Sequence, residues 1–161
     1  MCVFLLAVAL SASARAATNP PPKLPPGMTP AMAKLMMTKG PQHPTGIPAG
    51  AIPVSGCIPT MGYHYSNLKD FPFGPIYGWY NGKLLFSEVM ISKAAFEKGT
   101  SWDDILQPLP GHQIEHVDIW YERNGHPGYM VPHYDVHAWY VPHKEHMTYC
   151  GNASGKRPAW L

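Results

Sequence analysis

Charge is scarce in this chain: Asp, Glu, Lys and Arg make up only 14% of its 161 residues, well under the roughly 25% of an average soluble domain. The net charge is +2 and Lys and Arg form no stripe, so the electrostatic footprint of a nucleic-acid binder is missing. No run reaches the ~18 apolar residues that a membrane span needs. A Gly-rich phosphate loop, an HExxH helix motif and a Gly-x-Ser-x-Gly elbow are also absent. Their absence removes the standard sequence signals for P-loop nucleotide binding, zincin-type hydrolysis and α/β-hydrolase chemistry. Cysteine is limited to Cys2, Cys57 and Cys150.

The first residues point to export. An apolar run from Val3 to Leu10 is followed by small residues and Ala14-Arg15-Ala16, the pattern of a secretory signal over residues 1–16, although a positive n-region is missing. A periplasmic or extracellular destination is therefore expected. Cys2 would leave with the signal. Cys57 and Cys150 then form an even pair, which an oxidising compartment favours as one disulfide. A bridge closing more than ninety residues is worth about 4 kcal/mol in the chain-entropy model. Two free thiols acting as soft metal ligands are the alternative. Asn152-Ala-Ser matches a glycosylation sequon, relevant in a eukaryotic exported protein.

What the chain has in excess is proline (19 residues) and histidine (9). Eleven prolines fall within residues 17–60, so residues 17–54 read as an extended Pro-rich arm. One short helix interrupts the arm, with Thr29 as N-cap, Pro30 at the first helical position, and Gly40 as the stop after Lys39. Met32, Met36 and Met37 would share one face of it, as packing residues or, alternatively, as thioether ligands for Cu(I).

Residues 55–150 carry the pattern of a single β-rich domain, with 151–161 as a tail. Tyr77–Tyr80, Asn81-Gly82 and Lys83–Ile91 read as a hairpin, because Asn-Gly supplies the two φ > 0 residues of a type I′ turn. Ser92 can cap a helix from Lys93 to Lys98, which Gly99 ends. Ser101-Trp-Asp-Asp suggests another helical turn. A strand from about Gln113 to Glu122 and a last strand from His133 to Val141 flank a turn-rich connection. The expected fold is α+β and β-rich: an antiparallel sheet of two hairpins in ββαββ order, with short helices and the Pro-rich arm.

Side chains alternate faces along a strand. Tyr134, Val136, Ala138 and Tyr140 therefore point one way, and His133, Asp135, His137 and Trp139 the other. On the preceding strand Val117, Ile119 and Tyr121 oppose His116, Asp118 and Trp120. If these strands pair, the apolar faces coincide and are expected to form the core. The His/Asp faces coincide as well. His133 and His137 are roughly 13 Å apart at ~3.3 Å per residue, too far to share an ion directly. A site would need His116, and His64 is the candidate from a loop because a Cys57–Cys150 bridge draws it toward the last strand. Asp118 or Asp135 would assist, as a ligand or by fixing a histidine tautomer. Such a mixed N/O set suits Zn, Cu, Fe or Mn. A metal ion in an open site could support metal-dependent catalysis. Glu88 is another carboxylate within reach of the site, although a lone Glu in a strand usually reads as solvated, and His143 and His146 read as surface residues at the strand's exit. The competing reading makes the His/Asp/Trp face an interface in a homo-oligomer, or a place where Trp120 and Trp139 stack on a small-molecule ligand. Neither reading includes nucleic acid or a membrane span.

Five segments resemble those of a family of small exported, mostly bacterial proteins of unknown function. They are Cys57-Ile-Pro-Thr-Met-Gly-Tyr-His64, Tyr80-Asn-Gly-Lys-Leu-Leu-Phe86, Pro110-Gly-His-Gln-Ile-Glu-His-Val-Asp118, Asn124-Gly-His-Pro-Gly128 and Pro132-His-Tyr-Asp-Val-His137. The resemblance spans about residues 55–150, and Pro-His-Tyr-Asp-x-His is its most specific part. It departs at Ala138 and Trp139, where paired aromatics are expected. It implies a secreted domain with a His-rich sheet and leaves metal, substrate and catalysis open.

Overall fold

Asn81 (φ 46°) and Gly82 (φ 83°) turn the chain between two strands, as the type I′ signal requires. These strands, β3 (Ile76–Tyr80) and β4 (Lys83–Ser92), lie within a six-stranded antiparallel sheet. The structure is a computed structural model and describes residues 29–159 and Leu161. The expected signal segment and the first part of the Pro-rich arm lie outside the described residues. Before the hairpin come helix α1 (Pro30–Met37), a two-residue strand β1 (Ile52–Pro53) and β2 (Tyr63–Ser66). After it come α2 (Lys93–Glu97), β5 (His116–Glu122), β6 (His133–Trp139), α3 (His143–His146) and a 3₁₀ turn at Tyr149–Gly151. The strands lie side by side in the order β1-β2-β3-β4-β6-β5.

Two strands thus precede the expected pair of hairpins, and the last strand, not the first of its hairpin, joins the sheet's centre. Ser92 caps α2 by accepting the Ala95 N–H at 3.2 Å. Residues 101–104 form no helix. Met37, expected to pack, is 86% exposed; the side chains of Met32 and Met36 lie outside the described set. Cys57 and Cys150 are joined, with Cα atoms 5.6 Å apart and a sequence separation of 93.

The largest departure from the sequence reading concerns which face is buried. His133, Asp135, His137 and Trp139 are 0%, 3%, 0% and 0% exposed, whereas Val117, Ile119 and Tyr121 are 54%, 62% and 39% exposed. On β5 the supposed apolar core face looks outward, and on β6 only Ala138 of that face is fully buried. Tyr134 and Val136 are only half-buried, and Phe96 of α2 meets Tyr134 edge-on. Tryptophan supplies the physical reason. Trp139 and Trp120 share the face of the histidines, and a buried aromatic removes ~150–250 Å² from water, worth roughly 4–6 kcal/mol at ~25 cal/mol per Å². Trp139 packs with Met61, Leu85, Phe86 and Val141, flanked by Trp120, Tyr149 and Leu161. The segment around the disulfide and the C-terminal residues therefore cover the His/Asp face. Gly78 makes this layer possible: a Cβ there would lie 2.0 Å from the Phe86 ring.

On the opposite face, Tyr65, Tyr77 and Leu84 form a second cluster with Ala51. This cluster covers the β2–β3–β4 half and stops short of β5. Buried Asn152 uses its amide to donate to the Met147 and Lys156 carbonyls at 2.5 and 2.8 Å, so the sequon is folded inward. No helix among the described residues is long and apolar enough to cross a membrane.

Candidate metal centres on the buried face

Strand register sets out the polar residues of the covered face in rows. One row runs His64–Gly78–Phe86–Trp139–His116 and the next Ser66–Ile76–Glu88–His137–Asp118. Beyond them, Met90, Asp135 and Trp120 align, then Ser92, His133 and Glu122. The face holds three separate polar groups, and the expected site of His64, His116 and either His133 or His137 is not formed. His116 lies opposite Trp139, one row away from His137.

The first group is His126, His133 and Asp135, whose ligand atoms all lie within 4.8 Å of one another. His133 and Asp135 are alternate residues on β6 and share its inward side. His126 comes from the β5–β6 connection. There the His126 N–H donates to the Tyr129 carbonyl at 3.2 Å and the Tyr129 N–H donates back at 2.9 Å. Gly125 (φ +65°) permits this fold-back, because a Cβ there would come within 2.4 Å of the Tyr129 oxygen. His133 Nδ1–H donates to the Val131 carbonyl at 2.6 Å, and His126 Nδ1–H faces the Pro127 carbonyl at 3.3 Å. A carbonyl only accepts, so these contacts place the protons on Nδ1. Both rings then turn an Nε2 lone pair inward. The two Nε2 atoms are 3.1 Å apart, with Asp135 oxygens 2.9 Å from His133 and 3.8 Å from His126.

Three electron-rich atoms at such distances repel unless a proton or a cation joins them. Burial lowers the proton affinity of His126, but the Asp135 contact outweighs it and raises its pKa above the ordinary value. Burial also works against ionised Asp135, yet the His126 and His133 contacts hold its carboxyl below the usual range. Donor separations near 3 Å also fit a single ion, since Zn–N bonds of ~2.0–2.1 Å place tetrahedral donors roughly 3.3 Å apart.

The second group is Glu88, between His64 Nε2 at 3.7 Å and His137 Nε2 at 3.6 Å. The Ser55 hydroxyl donates to the Gly56 carbonyl and accepts from the His64 ring at 3.0 Å. This arrangement puts the His64 proton on Nδ1 and leaves its Nε2 toward Glu88. Glu88 Oε2 and both His137 ring nitrogens lack a hydrogen-bond partner, and 3.6–3.7 Å is too long for one. Burial, reinforced by the neighbouring Asp135 and Glu122 charges, pushes the Glu88 carboxyl well above its ordinary pKa. Burial and the nearby His137 lower His64 to about 3. Burial, partly offset by Asp135 and Asp118, lowers His137 to about 4. Burial thus favours the uncharged form of all three groups. The expectation that Glu88 is solvated fails because β4 is an interior strand, paired with β3 on one side and β6 on the other, and its residue 88 is 3% exposed.

A cavity of about 520 Å³ opens over the first two groups. His64, Glu88, His126 and Asp135 supply polar atoms, and Met61, Phe71, Ile76 and Met90 much of the apolar lining. This is the size range of small-molecule sites.

The third group, His116, Asp118, His143 and His146, again has ligand atoms mutually within 4.8 Å. The expectation of a surface position holds for His143 but not for His146, which is fully buried; α3 brings both beside His116 and Asp118 of the edge strand. Trp120 and Trp139 are not open stacking platforms. Trp139 is fully buried with its ring 3.6 Å from that of His146, and the Arg157 guanidinium lies 4.3 Å above Trp120. The chain's own segments pack over Trp139 on this face. The sequence did contain signals for the residues first passed over. His143-Lys-Glu-His146 after Pro142 has the i,i+3 spacing of one helical face. His126 stands in the tight connection joining two paired strands.

No family model matches this chain, and no curated protein matches it. Among solved structures, it is similar to that of hypothetical protein TTHB210 from Thermus thermophilus, with a TM-score of 0.50 and 20% identity over 65% of this chain and 97% of that one. This likeness bears on the fold alone.

Proposed function

We propose that this is an exported, disulfide-stapled domain that binds one transition-metal ion at His126, His133 and Asp135, for metal-dependent binding or conversion of a small, largely apolar molecule in the adjoining cavity. The observation that carries the reading is the pair of Nε2 atoms 3.1 Å apart, each ring oriented by a carbonyl at its other nitrogen, beside a buried carboxylate. Orientation of a ligand histidine through its second ring nitrogen is the usual support of a metal site. Two His and one carboxylate leave coordination positions free, as catalytic centres do and closed structural ones do not. An ion there would supply Lewis acidity toward a molecule in the cavity, and Glu88, whose proton affinity burial raises, stands at the cavity wall. The disulfide and the apolar run at residues 3–10 support export. The test is metal content of the full chain after loading with Zn(II), Fe(II), Mn(II) or Cu(II) in turn. His126→Ala and Asp135→Asn should each remove one equivalent of the best-bound metal while the fold is retained. Retention of that equivalent by both variants overturns the assignment.

A further inference from the structure

We propose that His116, Asp118, His143 and His146 form a second, closed metal centre that clasps the C-terminal segment to the edge of the sheet. His116 and Asp118 are alternate residues of β5 and face the same side, while His143 and His146 lie one turn apart on α3. Asp118 Oδ2 is 3.7 Å from His116 Nε2 and 3.6 Å from His143 Nδ1, and His143 Nδ1 is 3.3 Å from His146 Nε2. These separations equal or slightly exceed the roughly 3.3 Å between donors of a tetrahedral ion with ~2.0–2.1 Å bonds, so a small inward movement of the rings closes the set.

Two further observations favour an ion over a simple polar network. His116 Nε2 and Asp118 Oδ2 are both buried from water and have no hydrogen-bond partner, an expensive condition unless something else satisfies them. His146 is held by donating Nδ1–H to the Thr60 carbonyl at 3.0 Å, which fixes its Nε2 lone pair toward the other three donors. Its ring is further locked flat against Trp139. This is the orienting support that metal-ligating histidines carry.

The donor set is complete at four, and none of its members borders the cavity. A structural role follows, in contrast to the three-donor centre. The location fits that role. α3 is also tied down through Glu145, which accepts from Lys83 Nζ at 2.7 Å and from the Tyr149 hydroxyl at 2.6 Å. Cys150 lies just beyond it. The segment continues to Arg157, which donates to Glu122 at 2.6 Å, and to Leu161, which lines the cavity. An ion here would fasten the cover under which the other centre lies.

The experiment is Zn(II) stoichiometry by equilibrium dialysis on the full chain, repeated with Co(II) to read the tetrahedral ligand-field bands. The wild type should bind two equivalents. His143→Ala, a substitution at a largely exposed position, and Asp118→Asn should each bind one, losing the tetrahedral Co(II) bands and the metal-induced rise in thermal midpoint contributed by this centre. His126→Ala should also bind one but retain those bands. A wild-type stoichiometry of one that survives both His143→Ala and Asp118→Asn overturns this inference and leaves the cavity centre standing. A stoichiometry of one that survives His126→Ala but not His143→Ala does the reverse. No binding by the folded wild type overturns both.

Discussion

The two faces of the β5–β6 hairpin make an unexpected contrast. One carries Val117, Ile119 and Tyr121 and is exposed; the other carries His116, Asp118, His133, Asp135 and His137 and is covered. The difference shows that burial follows the largest contiguous apolar area, not the count of apolar residues per strand. Trp139, Trp120 and Phe86 make the polar face the better substrate for packing, and its polar atoms are buried as a consequence. These atoms must then be kept neutral, paired with one another or bound to a cation.

Acid should break the contrast most strongly. His64 and His137 are held neutral, with pKa values lowered to about 3 and about 4, whereas in an unfolded chain they take up protons near pH 6.5. Because the folded pKa values are depressed, their stabilising effect is whole above pH 6.5 and drains as pH falls toward 4. For His137 alone this amounts to roughly 3 kcal/mol by linkage. Urea unfolding of the metal-free protein at pH 7.5, 6, 5 and 4 should show a steadily falling midpoint. A pH-independent midpoint would mean that these histidines are not buried as described.

Next in size is a pair of truncations on opposite faces of the same hairpin. Trp139→Ala should cost about 3–5 kcal/mol, as large aromatic deletions in cores do, while Val117→Ala should stay within about 0.5 kcal/mol. Thermal unfolding of the two variants compares the faces directly, and equal losses would undo the assignment of inside and outside.

A further effect is expected from Glu88→Gln, and its size depends on pH. Glu88 has a raised folded pKa, so its stabilising contribution is complete below pH 4.5 and declines as pH rises, because the unfolded chain ionises first. The amide should therefore be nearly neutral at pH 4.5. Above that it should become relatively stabilising by up to about 1.4 kcal/mol per pH unit, until the folded-state pKa is reached. Chemical unfolding of wild type and variant at pH 4.5 and 7 measures the change.

Local chemistry made much of the fold legible in advance. The Asn81-Gly82 turn, the Ser92 cap, the pairing of β5 with β6 and the Cys57–Cys150 bridge each depend on a few neighbouring residues or on an unambiguous count. The candidate centres were legible only in part. His133 and Asp135 belong together as i,i+2 neighbours, as do His116 and Asp118. Their partners His126, His143 and His146 arrive from a fold-back loop and from a short helix beyond the strand, whose paths depend on packing. Glu88 looked solvated because nothing in its own strand shows that β6 will pair on one side and β3 on the other.

The sequence by itself determined which side chains share a face, where the chain turns, and that histidine and carboxylate would gather on one side of the last hairpin. The alternation of a strand and the stereochemistry of a turn are local properties, set by a residue and its neighbours. Only the tertiary structure decided which face would be covered and which histidines would meet. Those outcomes depend on the summed burial of Trp139, Trp120 and Phe86 beneath segments far away in sequence, and no local pattern encodes that sum.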